Sequence, residues 1–220
     1  MVADHVRWVI NMTLIIAAIS KNGVFIRSDK RRTVKNALGL IQCFDDMTKV
    51  FISSDKRTII YNHGINIINN KSWYDLAIRS EKDIQHNGST NIDAALDKIE
   101  NAISADIQIE LSNNQLDNLC AFVVILKTRS KSSNKWESGE ISWRHGQSVE
   151  KSRRGRFLCS GSGTKYVRPN KKHKEDSHWA SIRLIEAKMQ IGKLYANAIQ
   201  NQNNAHGNEF SPTYDDMMQT

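Results

Sequence analysis

The sequence predicts an α+β fold organised as a four-layer αββα sandwich, two stacked antiparallel sheets flanked by helices, and three observations carry that prediction. Short apolar runs come in two groups, four ahead of any helical pattern and three after the second helix. The runs that begin at Leu14 and Ala121 are unbroken, the pattern of strands covered on both faces. The segments between and after the groups carry apolar residues at spacings of three and four, the period of a helix with one buried face. Stacking the two sheets with helices on each outer side buries every one of these runs. An ordinary two-layer α+β sandwich is the alternative.

The elements follow in order. Leu14–Ile19 and Val24–Ser28 flank Ser20-Lys21-Asn22-Gly23, and Asn-Gly between apolar runs is a strong hairpin signal. Lys30 to Thr48 reads as irregular. Lys49–Ser53 and Thr58–Gly64, joined by a polar turn, make a second hairpin. Ser72 suits the N-cap of a helix through Trp73, Leu76, Ala77 and Ile84 that ends at Asn87-Gly88. Ser89 or Thr90 then caps a second helix with the stripe Ile92, Leu96, Ile99 and Ile103. Ala121–Thr128 is a buried strand, residues 129–137 a long hairpin loop, 139–146 the returning strand, and 156–163 a third strand ending in a glycine-rich turn. Ser177 caps a last helix whose stripe is Ile182, Ile185, Met189, Gly192, Ala196 and Ile199.

With 220 residues, 40% of them hydrophobic, one core suffices, and the only prolines, Pro169 and Pro212, mark no linker. The expected organisation is a short leader, propeptide or mis-assigned start over 1–12, a single domain over 13–210 and a tail over 211–220. Cys43, Cys120 and Cys159 are odd in number and lack paired spacing, which argues against a disulfide framework and a zinc site. Asp4 and Arg7 interrupt any secretory signal, and no apolar run reaches membrane-spanning length, so a cytoplasmic protein is expected. The net charge of +8 comes from runs such as Lys151, Arg153, Arg154 and Arg156 without interleaved aromatics, which reads as a solvated basic surface and not as a nucleic-acid interface.

Thr13 opens the first strand directly after Met12. A threonine hydroxyl needs a base, and the α-amine of the same residue, with an ordinary pKa of about 7.7 to 8.0, is suited to that role at cellular pH. The role exists only once Thr13 is the first residue, and removal of an initiator Met12 or of a short propeptide is a route to it.

This hairpin resembles the start of the proteasome β-subunit superfamily of N-terminal-nucleophile hydrolases, in which Thr is followed sixteen residues later by Asp, as Thr13 is by Asp29, with Arg31 completing an Asp-x-Arg pattern. The resemblance runs from Thr13 to about Gly207. It implies Lys49 as the lysine at the head of the third strand, Gly64 as the donor to the oxyanion, and Ser162 of Gly161-Ser162-Gly163 as the serine beside the amine. Asn203 falls where the family has a supporting Asp, and His206-Gly207 where it has Ser-Gly, which departs from the pattern. The resemblance implies a threonine-type peptidase or amidohydrolase acting through an acyl-Thr13 intermediate on a peptide or other amide substrate. No cofactor and no metal is implied, and self-association into a ring is. A catalytically silent ring-forming subunit and a peptide ligase or transpeptidase of the same fold are the alternatives.

Overall fold

The computed structural model describes residues 9–10, 13–35, 41–64, 66–86, 91–114, 120–129, 134–144, 146–207 and 209–220. In chain order the strands and helices are β1 (Val9–Ile10), β2 (Ile15–Ser20), β3 (Gly23–Asp29), β4 (Arg31–Lys35), β5 (Ile41–Asp45), β6 (Val50–Ile52), β7 (Thr58–His63), β8 (Ile67–Ile68), β9 (Lys71–Ser72), α1 (Trp73–His86), α2 (Ile92–Asn114), β10 (Cys120–Arg129), β11 (Asn134–Trp143), β12 (Glu150–Arg154), β13 (Phe157–Ser160), α3 (Asp176–Ser181), α4 (Leu184–Asn204) and β14 (Tyr214–Gln219). The fold is mixed α+β with antiparallel sheets: five strands ordered β12-β11-β10-β7-β6, four ordered β13-β2-β3-β14, three ordered β1-β4-β5, and the pair β8-β9.

Three apolar clusters hold these elements. Alternate residues of the two larger sheets meet in one, where Ile15, Ala17 and Ile26 join Ile59, Val123 and Ile125. The opposite face of the five-stranded sheet, with Ile60, Phe122 and Val124, packs on α1 and α2 through Trp73, Leu76, Leu96 and Ile99. The opposite face of the four-stranded sheet, with Leu14, Ile16 and Phe25, packs on α3 and α4 through Trp179, Ala187 and Ile191. Unbroken apolar runs in β2 and β10 follow directly, since both faces of each strand are buried.

The hairpin expected over Leu14–Ser28 forms, with Ser20 paired to Gly23 across a two-residue turn. Gly23 is needed for close approach, because a Cβ there would collide with the Gln219 carbonyl of the neighbouring strand. α1 begins as expected, Ser72 Oγ accepting the Asp75 N–H at 3.1 Å. α2 is capped by Asn91, whose side chain accepts the Ala94 N–H at 2.9 Å. The expected stop at Asn87-Gly88 and the caps Ser89 and Thr90 lie outside the described residues, as does Met12.

Several expectations need correction, and for most of the strands concerned the reason is paired charge. Within the segment read as irregular, β4 and β5 form a ladder that sets Arg31 opposite Asp45. Val9–Ile10, within the stretch expected as a leader, propeptide or mis-assigned start, pairs with Thr33 and Val34. Inside the basic run, Glu150–Arg154 is a fully exposed edge strand, with Lys151 bound to Asp97 and Arg153 to Asp93 on α2. The hairpin loop after β10 is shorter than expected, because β11 begins at Asn134. The supposed tail supplies β14, which completes the four-stranded sheet and is anchored by a two-pronged Arg27–Asp216 pair at 2.6 and 2.7 Å.

The last helix is in fact two. The turn of the first hairpin breaks it: Lys21 N–H donates to the Ile182 carbonyl at 3.0 Å, and Asn22 Oδ1 accepts the Leu184 N–H at 3.0 Å. This restart turns the helix, so the buried face is Leu184, Ala187, Ile191, Leu194, Tyr195 and Ala198. Ile185 and Met189 of the expected stripe are 57% and 59% exposed.

Candidate active site

The hairpin register determines where the site forms. β2 and β3 pair Ile15 with Ser28, so Thr13 and Leu14 at the mouth of one strand meet Asp29 at the end of the other. Asp29 N–H donates to the Leu14 carbonyl at 3.0 Å, and Asp29 Oδ1 accepts the Leu14 N–H at 2.8 Å. Lys49, one residue ahead of β6, reaches across from the other large sheet. Its Nζ donates to Thr13 Oγ1 at 2.6 Å and to Asp29 Oδ1 at 2.9 Å. All three are buried, with exposures of 1% for Thr13, 0% for Asp29 and 2% for Lys49. Burial pushes the Lys49 ammonium below the ordinary lysine value, with the Asp29 charge pulling the other way. Burial likewise raises the Asp29 carboxyl, opposed by Lys49 and by the N–H groups of Leu14 and Arg31.

The other side of Thr13 is made by the turn after β13. Thr13 N–H donates to Ser162 Oγ at 3.2 Å, and Gly163 N–H donates to the Thr13 carbonyl at 2.9 Å. Gly161 adopts φ 93°, and a Cβ there would strike the Thr13 backbone, so this position admits only glycine. In the 220-residue chain the Thr13 nitrogen is a peptide N–H, a donor without basicity; it becomes a base only when the bond to Met12 is cut.

A third set of contacts supports Asp29 from behind. Its Oδ2 accepts the Arg31 N–H at 3.0 Å and faces the Ser211 N–H at 3.5 Å. Ser211, wholly buried, donates its hydroxyl to Asp45 at 2.7 Å, and Arg31 also pairs with Asp45 at 3.1 Å. Tyr195 OH donates to the Ser211 carbonyl at 2.9 Å. Sequence reasoning missed Ser211, Asp45 and Tyr195. The signal available was Asp45 itself, an acidic residue facing Arg31 once β4 and β5 are paired.

Of the expected residues, Thr13, Asp29, Lys49 and Ser162 meet in one cluster. Gly64 lies at the end of β7 and lines a cavity of about 540 Å³ together with Gly161 and Ser162. Asn203 is not part of the cluster. It sits exposed in the last turn of α4, where its carbonyl accepts the His206 N–H at 3.0 Å, and His206 is exposed too. The counted position failed because the chain folds back after α4 before reaching Asp29, and the residue that arrives there is Ser211. Gln202 fixes that return by accepting the Phe210 N–H at 3.0 Å and donating to the Phe210 carbonyl at 3.0 Å. Among the described residues no group of three metal-ligating side chains occurs. No described helix is long and apolar enough to cross a membrane.

Comparison with known proteins gives the fold. The chain is similar to Anbu (ancestral beta-subunit) from Yersinia bercovieri, with a TM-score of 0.57 at 12% identity over 94% of this chain and 82% of that one. It is also similar to Anbu in a helical assembly from Pseudomonas aeruginosa, with a TM-score of 0.50 at 13% identity over 94% and 80%, and to a Gly-1 mutant of Anbu from Hyphomicrobium sp. strain MC1, with a TM-score of 0.50 at 10% identity over 93% and 80%. The fold is proteasome-related. No family model and no curated protein matches the sequence. The resemblance to proteasome β subunits is corrected by these matches: the structural neighbours are Anbu proteins, and what the chain shares with them is the fold.

Proposed function

We propose that the chain is an N-terminal threonine hydrolase that cleaves peptide or other amide bonds through an acyl-Thr13 intermediate. The observation that carries this reading is the buried contact of 2.6 Å between Lys49 Nζ and Thr13 Oγ1, with Asp29 on the same ammonium. A threonine that merely opens a strand has no need of a desolvated lysine. The three clusters between sheets and helices support a four-layer αββα arrangement, in which the ends of two sheets converge on Thr13.

The proposed mechanism begins with removal of residues 1–12, which frees the Thr13 amine. The neutral amine takes the proton of Oγ1 as Oγ1 attacks the substrate carbonyl. Lys49 stabilises the forming alkoxide and, by its charge, holds the amine below its ordinary value of about 7.7 to 8.0. Asp29 holds Lys49 in place. The Gly64 N–H donates to the oxyanion, a contact of a kind that contributes about 3 to 4 kcal/mol. The ammonium of Thr13, bonded to Ser162, returns its proton to the departing amine, and water then hydrolyses the ester. The assembly recorded for the Pseudomonas neighbour supports self-association of this chain as well.

The test is intact-mass spectrometry of the protein with and without a β-lactone probe. The expected result is a species beginning at Thr13 that gains one probe mass, while Thr13→Ala gains none. Equal labelling of both proteins, or a chain that retains Met1 and never reacts, overturns the reading.

A further inference from the structure

The two sides of Thr13 differ. Lys49 and Asp29 fill the space beside Oγ1, whereas the nitrogen side, at Ser162, borders the cavity of about 540 Å³. In an acyl transfer the C–N bond of the substrate breaks as the leaving nitrogen takes a proton from the group that removed the Oγ1 proton. That group is the Thr13 amine, so the departing nitrogen must lie on the Ser162 side. The cavity is the space available to whatever that nitrogen carries.

The lining is polar and charged. Besides Gly64 and Ser162 it includes His63, Glu140, Arg144 and Arg154. Glu140 accepts from Arg154 at 2.7 Å, which offsets its charge, and stands 3.6 Å from His63. Burial would raise its carboxyl, yet the bonds to His63 and Arg154 hold it below the ordinary range. Arg144 differs from these: it is exposed just after β11, lines the same cavity, and its guanidinium has no hydrogen bond or ion pair among the described residues. Glu150, on the facing strand, is the remaining charge at the rim.

Resting on the reading of Thr13 as nucleophile, we propose that this cavity is the leaving-group subsite and that it selects amines carrying a carboxylate, anchored by Arg144. The carboxylate is either an acidic side chain just after the cleaved bond or the carboxy terminus of a short departing peptide. Both present the planar oxygen pair that a guanidinium binds with two hydrogen bonds.

The experiment uses the mature protein and starts with β-lactone labelling at Thr13. Quenched peptides varied at the first position after the cleaved bond are then compared, each with a free and with an amidated carboxy terminus, alongside peptidyl-aminocoumarins whose leaving group has no carboxylate. Carboxylate-bearing leaving groups are expected to give up to about fivefold higher kcat/KM, as one ion pair at an exposed site provides. Arg144→Ala removes that advantage and lowers aminocoumarin release by a smaller factor. If only acidic side chains profit, the anchored group is the side chain; if only free termini profit, it is the terminus. Indifference to the carboxylate, a preference for basic residues that would point to Glu150, or equal loss on both substrate classes in Arg144→Ala overturns the proposal while the nucleophile stands. Failure of Thr13 to label removes both.

Discussion

Two aspartates in this molecule face lysine and further donors, and they are driven in opposite directions. Asp29, wholly buried beside Thr13, is raised because burial outweighs Lys49 and the backbone N–H groups around it. Asp106 on α2 accepts from Asn69 and Lys71 at 2.8 Å and from Arg79 at 2.5 Å. Burial would raise it too, but those bonds win and hold it at about 2. The difference is solvent. Lys71 and Arg79 are 44% and 41% exposed and keep much of their hydration while bonding, whereas Lys49 gives up its own almost completely. The Asp106 hub ties α1 and the β8–β9 turn to α2 and serves stability. The Asp29–Lys49 pair is costly to bury and is explained by what it does to Thr13.

The largest effect should come from splitting the costly pair. Lys49→Met is expected to lower kcat by about a hundredfold to a thousandfold, the range for a lost transition-state donor. It should also destabilise the fold by about 3 to 5 kcal/mol, because Asp29 is left buried and charged. Joining it with Asp29→Asn should restore most of that stability in urea unfolding and none of the activity. A double variant as unstable as Lys49→Met would show that the pair stabilises the fold instead. In the proposed mechanism the Lys49 charge also sets the pH at which the amine works. Activity should rise with pH as the Thr13 amine loses its proton, with a midpoint below about 8, and any residual activity of Lys49→Met should have its midpoint moved alkaline.

Asp106 gives the contrasting, smaller result. Its carboxyl is depressed in the folded protein, so its contribution is present above the unfolded value near 3.8 and is lost as pH falls towards about 2. Asp106→Asn should therefore cost about 2 kcal/mol at neutral pH and flatten the acid limb of the stability curve, with kcat/KM unchanged. A loss of activity without loss of stability would remove the distinction between the two aspartates.

The same contrast explains what was legible in the sequence. Strands buried on both faces declare themselves: β2, β3, β7 and β10 are apolar runs, and the turn between β2 and β3 brings Thr13 to Asp29 whatever lies elsewhere. Lys49 and Ser162 were named only through the resemblance, and they stand at the head of β6 and in the turn after β13. β4, β5, β12 and β14 were not legible, because strands whose charges pair along and across the sheets show no apolar alternation. Ser211 depends on them, as it reaches Asp29 only through the fold-back into β14, and so Asn203 was counted into its place. The phase of α4 escaped for a different reason. The break at Ile182–Arg183 is imposed by hydrogen bonds from Lys21 and Asn22, some 160 residues earlier in the chain.

Ser162 is the mildest place to test the asymmetry around Thr13, since it bonds the nitrogen and not the hydroxyl. Its partner is neutral and its neighbourhood half-open, so removing the hydroxyl should cost about 1 kcal/mol, or a fall in kcat/KM of somewhat less than tenfold. A serine that only shapes the turn would lower activity without moving its pH dependence. One that bonds the catalytic amine stabilises the ammonium by accepting from it, so Ser162→Ala should shift the activity midpoint to lower pH, and Ser162→Thr should bring it back. An unmoved midpoint in Ser162→Ala would reduce Ser162 to a turn residue and leave Lys49 as the residue governing the base.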